Sequence, residues 1–361
     1  MRPESEAELA DVLRSAEGSV AIRGGRTRAP AELPEGLVIS TAGLSGIRLY
    51  EPGALTLVAG AGTPLAEIEA ALTAEGQRLA FEPWDASVVL GRSGRSTLGG
   101  VIATNASGPR RIVAGAARDA ALGVRLVDGA GEVIRAGGRV MKNVTGVDLV
   151  RLACGSRGTL GVITEVSLKT QPGPADAATL VAEGLSPGAA VAAMQAALGT
   201  AFEVNGAAHD PARGETALRL EGSALSVELR AERLTKALAG HGDWHVERGR
   251  DWARVRDAAD LAGSGDLWRI SVRSSDAADL VALLPGRWLM DWGGGLIWAE
   301  APAGTDLRQL MSCAGHATLV RATPETHGRL GTLHPESAGV QRLSDGIAAR
   351  FDPRGLFRSA A

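Results

Sequence analysis

Three glycine turns carry most of the chemical content of this chain. Arg23, Gly24, Gly25, Arg26 and Thr27 follow the apolar run VAI. Thr97, Gly99, Gly100, Ala103, Thr104, Asn105, Ser107 and Gly108 lie in STLGGVIATNASGPRR. Gly155, Gly158 and Gly161, followed by Val162 and Ile163, lie in CGSRGTLGVITEVSLK. These glycines stand at the ends of apolar runs. Glycine turns there without side-chain clash and leaves N–H groups free to face an anion. The first turn suits a pyrophosphate, with the Thr27 hydroxyl as a further donor. The small residues of the second let a flat ring system lie against backbone, and the third offers an edge for adenine and ribose. Each turn alone also fits an ordinary β-turn or a glycine-rich junction packed for its own sake. Together they predict a long anionic cofactor lying along a groove.

Other chemistries find less support. The third turn leads into a strand, so its GxxGxxG spacing is not the dinucleotide fingerprint of a βαβ unit. No GxxxxGK[ST] occurs. The six histidines show no metal-ligand spacing, and HGDWH reads as a surface turn. Cys154 and Cys313 form no CxxC and read as buried free thiols, so no metal or iron–sulfur site is expected in this chain. Lys142, in a chain with only three lysines, reads either as chance or as a compact charge near the groove. Arg269 lies in LWRISV with Leu267 and Ser271 on its face of a strand. It is either the partner of a structural acid or a clamp for a substrate carboxylate. Six of the seven tryptophans fall between Trp244 and Trp298 and read mostly as core, with one or two left for an interface.

Elements that position these residues can be read from periodicity. The 361 residues suit two domains, and a net charge of -3 gives no reason to expect nucleic acid or an anionic membrane as partner. No run of about 18 apolar residues predicts a membrane span, and the start reads as an acidic amphipathic helix, not a signal peptide. Residues 1–172 mix short strands with short helices, including a hairpin over VRLVDGAGEVIRAGG and a helix over PLAEIEAALTAEG. QPGPADAA reads as a linker. Residues 173–335 alternate helices and strands, which suits a small antiparallel sheet with helices on one face. Residues 336–361 read as an amphipathic helix and tail. The fold class is α+β.

GGRVMKNVTGVDLVRLACGSRGTLGVITEVSLK resembles the flavin-binding region of the p-cresol methylhydroxylase and vanillyl-alcohol oxidase type. More narrowly, TLGGVIATNASGPRRIVAGAARDAALGVRL, VMKNVTGVDLVRL, LWRISV and LHPESAGVQRLSDGIAARFDPRGLF resemble the FAD-binding E subunits of bacterial glycolate oxidases. Three positions depart from that pattern: Val147 replaces an aromatic, Arg157 an apolar residue and Arg358 an asparagine.

The resemblance implies a two-part FAD-binding domain over 1–172, a smaller cap domain over 173–335 and a tail over 336–361 that returns toward the flavin. It implies FAD, held non-covalently by the residues of the three turns together with Pro83, Arg118 and Lys142. It implies oxidation of glycolate to glyoxylate by hydride transfer to flavin, with a catalytic flavoprotein subunit and an iron–sulfur subunit as partners. A stand-alone FAD-dependent oxidoreductase acting on another 2-hydroxy acid is the alternative. The expected location is cytoplasmic, or at the inner membrane through partners. THGR lacks the acid and second histidine of the HGDG-type site of D-2-hydroxy-acid dehydrogenases, so no catalytic residue is assigned beyond the candidate Arg269.

Overall fold

A computed structural model describes residues 1–28, 36–139 and 147–357. The chain divides into two units. The first comprises Met1–Ser107, Gly115–Gly173 and the segment from Pro335 onward; the second comprises Gly108–Ala114 and Pro174–His334. Gly108–Ala114 is thus a short insertion of the N-terminal stretch into the second unit.

The first unit is built on a five-stranded antiparallel sheet in the order Ile47–Glu51, Thr56–Gly60, Val162–Lys169, Ala121–Val127, Val133–Gly137. Its middle strand is buried along most of its length, which accounts for the apolar run VITEVSLK. A parallel pair, Val20–Arg23 with Leu37–Ser40, lies apart from this sheet. The helix Glu6–Ser15 starts at Ser5, whose hydroxyl accepts the Glu8 N–H, and it buries Leu9 and Leu13, four residues apart. Those leucines share a core with Val20, Ile39, Val162, Leu356 and Phe357. The tail thus packs into the first unit. Asp352 fixes it by accepting the N–H groups of Leu356 and Phe357 at 2.9 and 2.7 Å, and the Leu356 carbonyl accepts the Val20 N–H at 2.8 Å.

The second unit holds an eight-stranded antiparallel sheet, larger than the composition suggests. Its order is Trp244–Arg248, Asp176–Glu183, Glu215–Gly222, Gly206–Asp210, Arg287–Asp291, Leu296–Ala301, Asp266–Val272, Gly315–Arg321. The helices Pro187–Leu198, Ala224–Ala237 and Ser274–Val281 supply Met194, Leu234 and Leu280 to a core shared with Leu218, Trp268, Ile270, Met290 and Ile297. Alternate positions face the other way: Arg269 stands between Trp298 and Thr318 in register. HGDWH is only partly a turn, because Trp244 opens an edge strand. Trp252, Trp268 and Trp298 are buried, and the other three tryptophans of the second unit are half-buried.

Candidate cofactor and substrate sites

In the first unit the three glycine turns meet. A Cβ on Gly158 would lie 2.9 Å from Ile22 Cδ1, on the strand that enters the first turn. One on Gly24 would lie 2.8 Å from Thr97 Oγ1, at the start of the second. The third turn is tied to the second by backbone bonds, Gly155 N–H to the Ile102 carbonyl at 3.0 Å and Arg157 N–H to the Ala103 carbonyl at 2.8 Å.

Gly25 shows why glycine is required here. A Cβ at Gly25 would fall 1.4 Å from the Arg95 carbonyl oxygen, so no other residue lets the first turn lie flat on residues 92–97. Arg28 locks the two together: Nη1 donates to Ser96 Oγ at 2.6 Å, Nη2 donates to the Trp84 carbonyl, and the guanidinium stacks 5.3 Å from the Trp84 ring centre. Among the described residues, none accepts a hydrogen bond from the N–H groups of Gly25, Arg26 or Thr27. Arg26 sits in the left-handed region at φ 63°. Successive unbonded N–H groups around such a residue make an anion-binding nest, so the first turn fits a pyrophosphate.

The second turn works differently from the first. Its N–H groups are largely used within the chain: Leu98 donates to the Thr63 carbonyl, Gly99 to that of Ala61, and Gly100 to Thr97 Oγ1. Its polar side chains hold the loop's own shape. Thr104 Oγ1 donates to the Gly100 carbonyl at 2.7 Å, Asn105 Oδ1 accepts the Arg118 N–H at 3.0 Å, and Ser107 Oγ accepts the Ala117 N–H at 2.9 Å. What the turn offers is surface. A Cβ on Gly100 would meet only Thr97 Oγ1, at 3.4 Å. A planar ring fits against such an open backbone face.

Other predicted contacts divide. Arg23 is half-buried beside the nest, and Arg118 is exposed. Thr27 is almost fully buried and its hydroxyl accepts from Arg28 at 3.4 Å. Pro83 is buried. Val162 and Ile163 spend their side chains on the interior of the sheet, Val162 in the core with Leu9 and Leu13; adenine packing is then left to the glycines before them. Gly108 belongs to the second unit, apart from the rest of its turn. Lys142 lies outside the described residues. Cys154 is buried, and burial, reinforced by Asp148, pushes its thiol up to about 12, so it is an inert core group. Cys313 is half-exposed, which departs from the expectation of two buried thiols.

In the second unit Arg269 belongs to a cluster that sequence reading did not assemble. Its guanidinium lies 4.9 Å from the Trp292 ring centre and 5.8 Å from that of Trp298, and Arg111 lies 4.6 Å from Trp292. His316 is exposed, yet burial first, then Arg269, His334 and Arg111, lower its pKa. Arg269 and Arg111 thus lie near enough to His316 to act on its charge. Trp292 is held at φ 54° by the buried Asp291, which accepts its N–H at 2.7 Å, and the indole N–H donates to the Gly108 carbonyl at 3.0 Å. Arg110 fastens the same short segment through a bidentate pair with Glu221. One signal was available in sequence: WGGG is a turn that forces a tryptophan out of regular strand geometry. The contribution of Arg111, about 160 residues earlier, was not. A separate pocket of about 280 Å³ is lined by Asp210, Asp260, Arg287 and Trp288. Burial, then Asp260, raises the Asp210 pKa, so its lining has the wrong sign for a carboxylate.

Residues 1–137 match the FAD binding domain family. The whole chain superposes on alkyldihydroxyacetonephosphate synthase with a TM-score of 0.67 at 15% identity, covering 99% of this chain and 76% of that one, which shows a shared fold. The matched family and the fold together define a flavoprotein with a p-cresol methylhydroxylase-type cofactor unit, and FAD is its cofactor. The chain is 37% identical over 317 residues, 86% of its length and 83% of the relative's, to the glycolate oxidase subunit GlcE of Escherichia coli (strain K12). It is 32% identical over 180 residues, 48% of this chain and 38% of the relative, to a D-lactate dehydrogenase of Archaeoglobus fulgidus. The chain belongs to the family of the glycolate oxidase GlcE subunits.

Proposed function

We propose that this chain is the FAD-carrying subunit of a complex that oxidises glycolate to glyoxylate. The observation that carries the reading is the meeting of the three glycine turns in a chain similar along most of its length to a glycolate oxidase subunit. FAD, when bound, supplies the acceptor for the two electrons removed from the substrate. The residues proposed to hold it are those of the three turns, with the Gly25–Thr27 nest on the pyrophosphate and the Gly100 face against the ring. Lys142 stays in that proposal on its resemblance alone. The partners proposed are a second, catalytic flavoprotein subunit and an iron–sulfur subunit. No helix of the described residues is long and apolar enough to cross a membrane.

A second reading, a stand-alone 2-hydroxy-acid dehydrogenase, draws on the cationic face of the second unit. There Arg269 and Arg111 suit a carboxylate, and His316 stands beside them, its pKa lowered first by burial and then by Arg269. Anaerobic mixing of the isolated FAD-loaded chain with glycolate separates the two. Slow bleaching of the flavin, with recovery of a flavoprotein and an iron–sulfur protein on pull-down from native cells, supports the subunit. Rapid bleaching by the chain alone favours the complete enzyme.

A further inference from the structure

Among the described residues, burial lowers the pKa of four arginines: Arg92, Arg157, Arg308 and Arg321. Two of these are repaid within the protein. Arg308 donates to the carbonyls of Ala317, Leu330, Gly331, Thr332 and Leu333. Arg321 donates to the carbonyls of Gly265 and Leu261 and pairs with Glu300 at 2.9 Å. Arg92 and Arg157 have neither an acid nor a carbonyl partner for their guanidinium groups among the described residues. Both belong to the loops of the cofactor unit. A desolvated guanidinium without a partner is costly, and folded proteins supply one.

Arg157 is the better placed of the two. It stands between Gly155 and Gly158, where the third turn meets the first and second. Its N–H is bonded to Ala103 and its backbone is held at φ 52°, a conformation unfavourable for a long side chain. The residue is exposed, although protein surrounds the guanidinium closely enough for burial to lower its pKa. A side chain at the wall of an open groove has both properties. The turn that carries it is part of the glycine cradle that fits FAD.

We propose that Arg157 is an ion-pair partner of the FAD pyrophosphate, a cationic contact added to the backbone nest of the first turn. A dianion there would satisfy the guanidinium with charge-assisted hydrogen bonds and shield it from its desolvated surroundings. The apolar residue that the family resemblance expects at this position lacks that contact.

The test uses the full chain stripped of FAD and titrated with FAD by fluorescence over a range of NaCl concentrations. Wild type is compared with Arg157→Leu and Arg157→Lys. Loss of a hydrogen bond to a charged group predicts a Kd raised about 10- to 100-fold in Arg157→Leu, with a flatter dependence on salt. Arg157→Lys keeps the salt dependence and loses less affinity. The FAD-free Arg157→Leu protein melts no lower than wild type, since an unpaired desolvated charge has been removed, and its gain in melting temperature on adding FAD shrinks. An unchanged Kd and salt slope in Arg157→Leu overturns the proposal. So does a shifted flavin reduction potential with an unchanged salt slope, which places the charge at the ring. Should Arg157→Leu fail to fold, Arg157→Gln against Arg157→Lys compares a neutral polar side chain with a charged one, and equal salt slopes in that pair overturn the proposal. Failure of wild type itself to bind FAD refutes the cofactor assignment, a different result from any of these.

Discussion

The cofactor cradle and the cationic face of the second unit solve recognition by opposite means. In the cradle the backbone is left open, and the polar side chains of Thr97, Thr104, Asn105 and Ser107 are folded back to hold the loop in shape. On the cationic face, the side chains of Arg111 and Arg269 both lie against the ring of Trp292, whose backbone is held at positive φ. Backbone recognition needs contiguous sequence with glycine at fixed places. Side-chain recognition draws single residues from segments far apart.

The contrast can be broken at the cradle first. Gly25→Ala drives a methyl into the Arg95 carbonyl and should cost at least about 3 kcal/mol of stability along with FAD binding. Gly100→Glu separates those two losses. Its side chain leaves the backbone without a clash, so the melting temperature should hold while FAD binding disappears, because a carboxylate replaces the open face that meets an anionic cofactor. Calorimetric melting and flavin content of the purified variants check both. If Gly100→Glu remains yellow, the cradle has been misplaced.

Acid should distinguish the units. His209 in the second unit is buried against Thr216, and burial lowers its pKa from 6.5 to about 4. Its stabilising effect is full above pH 6.5 and is lost as pH falls toward 4, a change of about 3 kcal/mol. In the first unit the Arg125 hydrogen bond is the main cause that lowers the Glu6 pKa below 4.5, so its effect persists until lower pH. Tryptophan fluorescence, dominated by the second unit, should therefore change at a higher pH than flavin release. In His209→Gln the first change should move down toward the second. Simultaneous transitions in both proteins would show one cooperative unit.

Arg269→Lys should leave FAD affinity intact and slow flavin reduction in the assembled complex by about 1–3 kcal/mol, since an ammonium cannot make two parallel bonds to a carboxylate. A lowered melting point with unaltered reduction kinetics would make Arg269 structural. The smallest effect concerns the thiols. Native protein at pH 8 should take up one alkylating group, at Cys313, while Cys154 reacts only after unfolding. Mass spectrometry of the intact chain reads this directly.

The same contrast explains what could be read from sequence. The turns, the hairpin Ala121–Val127 with Val133–Gly137 and the helix Leu65–Ala74 were legible because glycine placement and apolar period are local signals. The strands Gly206–Asp210 and Trp244–Arg248 were not. They are short, and their residues, GAAHD and WHVER, find their place only by pairing with distant strands. The positions of the first turn's glycines were local signals of the same kind. The internal use of the second turn's donors was not, because Thr97 and Ser107 look the same whether they bind a ligand or their own loop. Arg28 was missed for the same reason: its partners Trp84 and Ser96 are brought near only by the fold.

The returning tail sets an order of events during synthesis. The strand that enters the first glycine turn begins with an N–H bonded to Leu356, and its core is closed by Leu356 and Phe357. Those residues are made after all of Pro174–His334, an interval of about 10–30 s at ~5–20 residues per second. For that time the emerging chain carries a pyrophosphate turn whose supporting strand lacks its partner, while the second unit has everything it needs to fold. If the turn needs that support to hold FAD, capture waits for the ribosome to reach Leu356 and Phe357.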